Sequence, residues 1–382
     1  MQIHWFSPLL PDATDIGHFT TRVLAELTKI SDVTVWTQTN EPLRSVLPDV
    51  KIRQFDPDNP DHAALSRGII VYNIGNNGPF HAGIYQMSQR LPGVVILHEA
   101  DLQGLFLYSW LKSDHGTSYI DYMRDNYGSL AEVFAKARLR GIRLDDLAHK
   151  YPIVAPALSN ALGVVSHTKQ VTRRAQQAKL PVLELDLPFA ATDVPQKKTR
   201  EGPIRLVQFG YLNPHRKLDE ILKALHDHPL HQKFRFEIFG RLWSESYITE
   251  RIKMLELEGI VQLKGFVDEG LLDQAITCAD MVFNLRFPTI GEASGTQLRI
   301  WKNGAPSVVT DDGWFGDLPD DTVLKIKPGS EALGIARILD QLSSDRHYFD
   351  PTGLRGHERL RLNHDPVNYA AQLQAFLRRF DI

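Results

Sequence analysis

Residues 286–306 read RFPTIGEASGTQLRIWKNGAP. One carboxylate, Glu292, precedes Ala293, Ser294, Gly295 and Thr296, between the apolar run Met281–Leu285 and an amphipathic stretch with Leu298 and Trp301. Small residues that open a helix leave backbone N–H groups uncovered, and such groups hold anions. The plain alternative is that Ser294 caps the helix and Glu292 complements its dipole. A second candidate is FGYLNPHRKL, which puts Arg216 and Lys217 at the start of a helical pattern. Cations favour the other end of a helix by about 0.3–1 kcal/mol. A basic pair here reads either as a seat for phosphate or as a solvated pair at a turn.

Further candidates follow other apolar runs. HEADLQGL brings His98, Glu99 and Asp101, without the second histidine of a zinc-protease helix. Glu99 and Asp101 beside His98 could be a general base pair, but they rank as solvated or structural acids. YNIGNN offers Asn73 and Asn76, either as a turn or as contacts to a second substrate. Asp15 in TDIGHF reads as the cap of a helix starting near Gly17, or as an acceptor for a substrate hydroxyl. His81 reads as facing a cleft or, more simply, as the beginning of a helix, and Trp314 and Phe315 as a wall of a binding site or, more often for aromatic residues, as packing. HDHPLH, residues 226–231, resembles a metal tract, yet it precedes a proline at a helix end, where such side chains are common. No metal site is expected.

The elements that must position these residues alternate. Twelve β-branched or apolar runs are expected as strands: Ile3–Phe6, Val33–Trp36, Ile69–Ile74, Val94–His98, Gly163–Ser166, Val182–Leu187, Ile204–Phe209, Phe234–Phe239, Val261–Lys264, Met281–Leu285, Ser307–Thr310 and Val323–Ile326. Helical patterns such as His18–Leu27, Leu218–Leu225 and Glu245–Leu257 lie between them. This rhythm predicts parallel sheets covered by helices. Runs such as GVVILH do not alternate, as in strands buried on both faces. The polar stretch Ala191–Pro203, with two prolines, reads as a linker. Two doubly wound α/β domains follow, residues 1–195 and 196–363, with the last helix, 364–382, packing back on the first. Ligands of such folds bind beyond the carboxyl ends of strands, where all the candidates lie. Tyr108–Lys150 is an expected helical insert.

A chain of 382 residues exceeds the ordinary size of one core. The net charge of −3 does not advertise nucleic acid. One cysteine, Cys278, excludes an intrachain disulfide. No P-loop motif is present, and no G-x-G-x-x-G follows the first strand. Neither a signal peptide nor a membrane span is expected, so the reading is a cytoplasmic protein, compatible with peripheral contact at the inner membrane face.

Taken in order, FSPLLPDATDIGHFTTRVLAEL, PGVVILHEADLQGL, FGYLNPHRKLDEILKAL, FEIFGRLW, VQLKGFV and FNLRFPTIGEASGTQLRIWKNGAPSVVTDDGWFGDLP resemble the GT-B retaining glycosyltransferases of family 4, the bacterial "group 1" enzymes. The resemblance covers nearly the whole chain. It implies two Rossmann-like domains facing a cleft, and metal-independent transfer of a sugar, with retention, from a nucleotide diphosphate sugar to a glycan or lipid-linked acceptor. The donor is a substrate, and no cofactor is implied. By the resemblance, Arg216 and Lys217 neutralise the pyrophosphate, with Arg216 fitting the family's lysine by spacing and Lys217 by type. Ser294, Gly295 and Thr296 give N–H groups to it. Glu292 and His98 hold the transferred sugar. Gly240, Arg241, Phe266 and Val267 lie at the base, and Asp15, Asn73 and Asn76 on the acceptor side. The family's second glutamate falls near Arg299, with a spacing shorter by about one residue; Arg299 is counted with the nucleotide-binding positions although it cannot accept protons from ribose hydroxyls, and Asp15 stands where a glycine often lies beside the phosphates. A GT-B sugar-nucleotide epimerase and a non-catalytic sugar-nucleotide-binding partner are the competing readings.

Overall fold

The computed structural model describes residues 1–381 apart from 44–46, 48, 143–148 and 194–200. The centre of the expected linker therefore lies outside the described residues, as does part of the expected insert. The chain forms two compact units: Met1–Pro188 with Ile290–Ala293 and Pro366–Ile382, and Phe189–Thr289 with Ser294–Asp365.

The first unit holds a parallel sheet of seven strands: β1 (Gln2–Phe6), β2 (Asp32–Thr37), β3 (Lys51–Gln54), β4 (Ile69–Ile74), β5 (Gly93–Leu97), β6 (Ala161–Ser166) and β7 (Val182–Glu184). Their spatial order is β3-β2-β1-β4-β5-β6-β7. The order reverses between β1 and β4, which opens the crevice where doubly wound sheets take ligands. All six residues of β4 are buried, so IIVYNI needs no alternation. Helix Asp15–Leu27 lays Ile16, Phe19, Val23, Leu24 and Leu27 into the core. Burying each such side chain stabilises by about 1.5–3 kcal/mol. Helix Pro366–Leu377 packs on that helix. The insert contributes helices Gln103–Asp114, Thr117–Tyr127 and Ser129–Leu139.

The second unit holds six parallel strands: β8 (Ile204–Leu212), β9 (Phe234–Leu242), β10 (Val261–Gly265), β11 (Met281–Asn284), β12 (Ser307–Thr310) and β13 (Leu324–Ile326). Their order is β10-β9-β8-β11-β12-β13, reversing between β8 and β11. Helices Leu218–Asp227 and Glu331–Ser344 pack together on one face.

Two expectations change. β3, KIRQ, went unread because it is a short edge strand whose residues are half-buried or exposed. β8 and β9 run three residues further than the apolar patterns do. Gly210 stands opposite Gly240, at φ 110° and 100°, and the ladder continues through Tyr211–Arg241 and Leu212–Leu242. A Cβ on Gly240 would sit 2.2 Å from the Gly210 carbonyl oxygen, so only glycine allows this pairing. Gly240 and Arg241 are thus strand residues, not loop residues.

Candidate functional site

In the second unit, β8 ends and the chain makes a 3-10 turn, Pro214–Arg216. Arg216 is buried, and its Nη1 donates to Asn284 Oδ1 at 3.0 Å. Asn284 is the last residue of β11, so this bond spans the reversal of strand order. The Asn284 amide donates to Gln297 Oε1 at 3.1 Å, and Gln297 Nε2 reaches Ser307 Oγ at 2.7 Å. A buried polar chain thereby locks Arg216 to helix Gly295–Lys302. Ser294 caps that helix, its Oγ accepting from Gln297 N at 3.2 Å. Gly295 and Thr296 are its first two residues, whose N–H groups have no acceptor within the helix.

Lys217 adopts φ 57°, a left-handed conformation that suits glycine better. Its Nζ lies 3.8 Å from Glu220 Oε1 and 3.9 Å from Glu331 Oε1, and 5.7 Å from the centre of the Phe287 ring. Among the described residues, no hydrogen bond reaches the buried Glu331 Oε1. The two cations therefore differ: Arg216 is fixed at the reversal point, and Lys217 faces acids. Arg299 donates to Asp273 Oδ1 at 2.7 Å and to Glu269 O at 2.9 Å, so it binds a neighbouring helix, Glu269–Thr277. Phe266 is 83% exposed, and Val267 packs beside the cluster of Val207 and Phe209. Trp314 and Phe315 are buried. The histidines of HDHPLH go to separate partners: Leu255 O for His226, Asp340 for His228 and His228 O for His231.

In the first unit, Asn73 is the penultimate residue of β4, at the other reversal point. Its Nδ2 donates to Phe6 O at 3.0 Å, and its Oδ1 lies 3.2 Å from His98 Nε2. His81 Nδ1 donates to Asn73 O at 3.0 Å. Both histidines are buried. Desolvation pushes His81 down to about 4. It pushes His98 well below the ordinary value, helped by neighbouring His167 and His81. The His98 ring sits edge-on to Phe19, centroids 4.8 Å apart, and 5.5 Å from His167. His167 Nε2 meets Tyr369 Oη of the last helix at 2.9 Å.

Glu292 belongs to this unit, although the sequence reading grouped it with Ser294 and the donor-side domain. Ile290 O accepts from Ala100 N at 2.9 Å and Asp101 N at 3.1 Å, and Gly291 O accepts from Thr168 Oγ1 at 3.1 Å. Glu292 Oε2 accepts from Ile290 N at 2.9 Å. Burial and then the charge of Glu292 raise Glu99 to about 8, although Glu99 accepts from Asn76 N at 3.0 Å. Burial raises Asp101 to about 6 against the N–H groups of Gln103 and Ile153. Both acids are built into the loop, so the solvated reading is withdrawn. Asn76 Oδ1 accepts from Gly104 N at 2.7 Å and Leu105 N at 3.3 Å, where helix Gln103–Asp114 begins. Asp15 is exposed in the first turn of its helix. Thr14 is the cap, accepting from Ile16 N, which corrects the reading of Asp15 as cap.

Sequence reasoning missed Asn284 and Glu331 and set His81 aside. A polar residue ending an apolar strand was the available signal for Asn284. Nothing in the pattern around Glu331 marks it.

No family model and no curated protein matches this sequence. Solved structures do. The chain is similar to Anabaena HepE in complex with UDP-glucose, at 14% identity and TM-score 0.67, over 99% of this chain and 100% of that one. It is similar to sucrose-phosphate synthase from Thermosynechococcus elongatus, at 12% and 0.65, over 100% and 99%. It is also similar to WaaG, a glycosyltransferase involved in lipopolysaccharide biosynthesis, at 13% and 0.59, over 97% and 99%. These likenesses, spanning essentially the whole chain, show that the two Rossmann-like α/β units make a GT-B fold.

Proposed function

We propose that this protein transfers a sugar from a nucleotide diphosphate sugar to an acceptor hydroxyl, with retention and without a metal ion, in the synthesis of a polysaccharide or glycoconjugate. One observation carries the reading: a buried arginine, Arg216, sits at the strand reversal of the second unit, tied through Asn284 and Gln297 to a helix whose first N–H groups have no acceptor among the described residues. HepE, of the same fold, is solved with UDP-glucose.

Breaking the donor bond leaves negative charge on the departing pyrophosphate and positive charge on the sugar. Arg216, Lys217 and the N–H groups of Gly295 and Thr296 stabilise the first without rearranging. The acceptor attacks from the face of the leaving group, and a phosphate oxygen takes its proton. Glu292 and His98 hydrogen-bond hydroxyls of the transferred sugar. Gly240, Arg241, Phe266 and Val267 receive the base. The acceptor is a glycan or a lipid-linked glycan, and the setting is the cytoplasmic side of a membrane.

Calorimetry with UDP-, GDP- and ADP-sugars, followed by transfer and donor-hydrolysis assays, tests this. Arg216→Ala should weaken donor binding roughly tenfold or more. If no nucleotide sugar binds or turns over, the proposal fails. An altered sugar formed without an acceptor would replace transfer by epimerisation.

A further inference from the structure

Asn73 makes three hydrogen bonds that fix one another. The carbonyl of Phe6 can only accept, so the Asn73 amide nitrogen must face it, 3.0 Å away. The side-chain oxygen is thereby turned to His98 Nε2 at 3.2 Å. An amide oxygen also only accepts, so Nε2 must hold the hydrogen. The backbone carbonyl of Asn73 takes the Nδ1–H of His81 at 3.0 Å, which braces the same residue from the other side.

The consequence falls on the remaining nitrogen of His98. A neutral imidazole with hydrogen on Nε2 carries a lone pair on Nδ1. His98 is surrounded by Phe19, His167 and His81, a setting that keeps the ring uncharged. Nδ1 has no partner among the described residues. Unlike His81 Nε2, it is not among the polar atoms sealed from solvent. His98 therefore offers an outward acceptor, which pairs with a neutral donor group and is repelled by an anion.

We propose that Asn73 is a positioning residue that sets the tautomer of His98, so that Nδ1 accepts a hydrogen bond from a neutral sugar hydroxyl. This reassigns Asn73 from direct acceptor contact. Only the identity of the hydroxyl rests on the glycosyl-transfer reading.

The test is long-range proton–nitrogen NMR of the full chain carrying 15N-histidine, near pH 7.5. His98 is expected as the Nε2–H tautomer. Asn73→Leu should give a mixture of tautomers, and Asn73→Asp should keep the tautomer while raising the pH at which His98 protonates. An Nδ1–H tautomer in the wild type overturns the proposal, as does a His98 spectrum unchanged by Asn73→Leu. If the leucine variant does not fold, the wild-type and aspartate spectra decide. The second arm titrates methyl glucoside, methyl galactoside, methyl mannoside and UDP-glucose, with inorganic phosphate as control. Saturable movement of His98 Nδ1 with a sugar, and none with phosphate, is expected. Movement with phosphate, or with no sugar, overturns the hydroxyl assignment. If calorimetry shows no UDP-glucose binding while a methyl glycoside still moves Nδ1, the transfer reading fails and the role of Asn73 stands.

Discussion

Arg299 Nε donates to Asp273 Oδ1 at 2.7 Å, and the same carboxylate receives Lys302 Nζ at 2.9 Å and Asn303 Nδ2 at 3.1 Å. Burial alone would raise the Asp273 carboxyl; the Lys302 and Arg299 hydrogen bonds outweigh it and hold it below the usual range. The position where resemblance expects an acid for ribose is thus a clamp between helices Glu269–Thr277 and Gly295–Lys302.

Arg299→Glu, which restores the family's residue type, should therefore destabilise. It sets a carboxylate against Asp273 and Glu269, and the cost should be roughly 2–3 kcal/mol. Calorimetric melting should show a lowered Tm, partly recovered by adding Asp273→Arg. A gain in nucleotide affinity at unchanged Tm would contradict the clamp.

The basic pair separates folding from binding. Lys217→Gly relieves a left-handed residue and should leave stability equal or up to about 1 kcal/mol higher, while donor affinity falls. Arg216→Ala should lower both, because it strips Asn284 of a buried partner. Denaturant melts alongside calorimetric titration of UDP-glucose would show the contrast. Equal stability losses in the two variants would count against it.

Stability should depend on pH with two opposing slopes. His81 is lowered in the folded state, so its contribution is complete above about 6.5 and is lost as pH falls toward about 4. Glu99 is raised, so its contribution is complete below about 4.5 and is lost as pH rises through about 8. Asp101 acts in the same sense, between about 3.8 and 6. Glu99→Gln should match wild type near pH 4.5 and be more stable than it by several kcal/mol near pH 8.5. Denaturant melts at both pH values check this; a constant difference would sink it.

Gly240→Ala should cost roughly 3 kcal/mol or more, since its Cβ meets the Gly210 carbonyl and φ is 100°. At Gly210 the nearest atom is Arg216 Nη2, 3.9 Å away, so Gly210→Ala carries only the cost of φ 110°. Chemical denaturation of both should rank Gly240→Ala as the more damaging.

The sheets were legible because doubly buried strands must be continuous β-branched or apolar runs. β3 was not, since an edge strand need not be apolar, and neither was the glycine-paired end of β8 and β9, where side-chain pattern vanishes. The post-strand rule singled out Arg216, Ser294 and His98 as candidates. It could not find Asn284 or His81, whose importance lies in which atoms they face. Nor could it tell that Glu292 folds with the first unit. The carbonyls of Ile290 and Gly291 decide that, and backbone partners leave no mark on side-chain type.

That four-residue segment makes the first unit a mosaic of three separate lengths of chain. A gene ended after Pro188 would encode all seven strands of its sheet, yet it would leave Ala100 N–H, Asp101 N–H and the Thr168 hydroxyl without their acceptors and would omit Glu292 and Tyr369. Dissecting the protein into halves at the linker would yield an incomplete first piece, whereas a first piece with residues 290–293 and the last helix fused to it would be the minimal way to rebuild it.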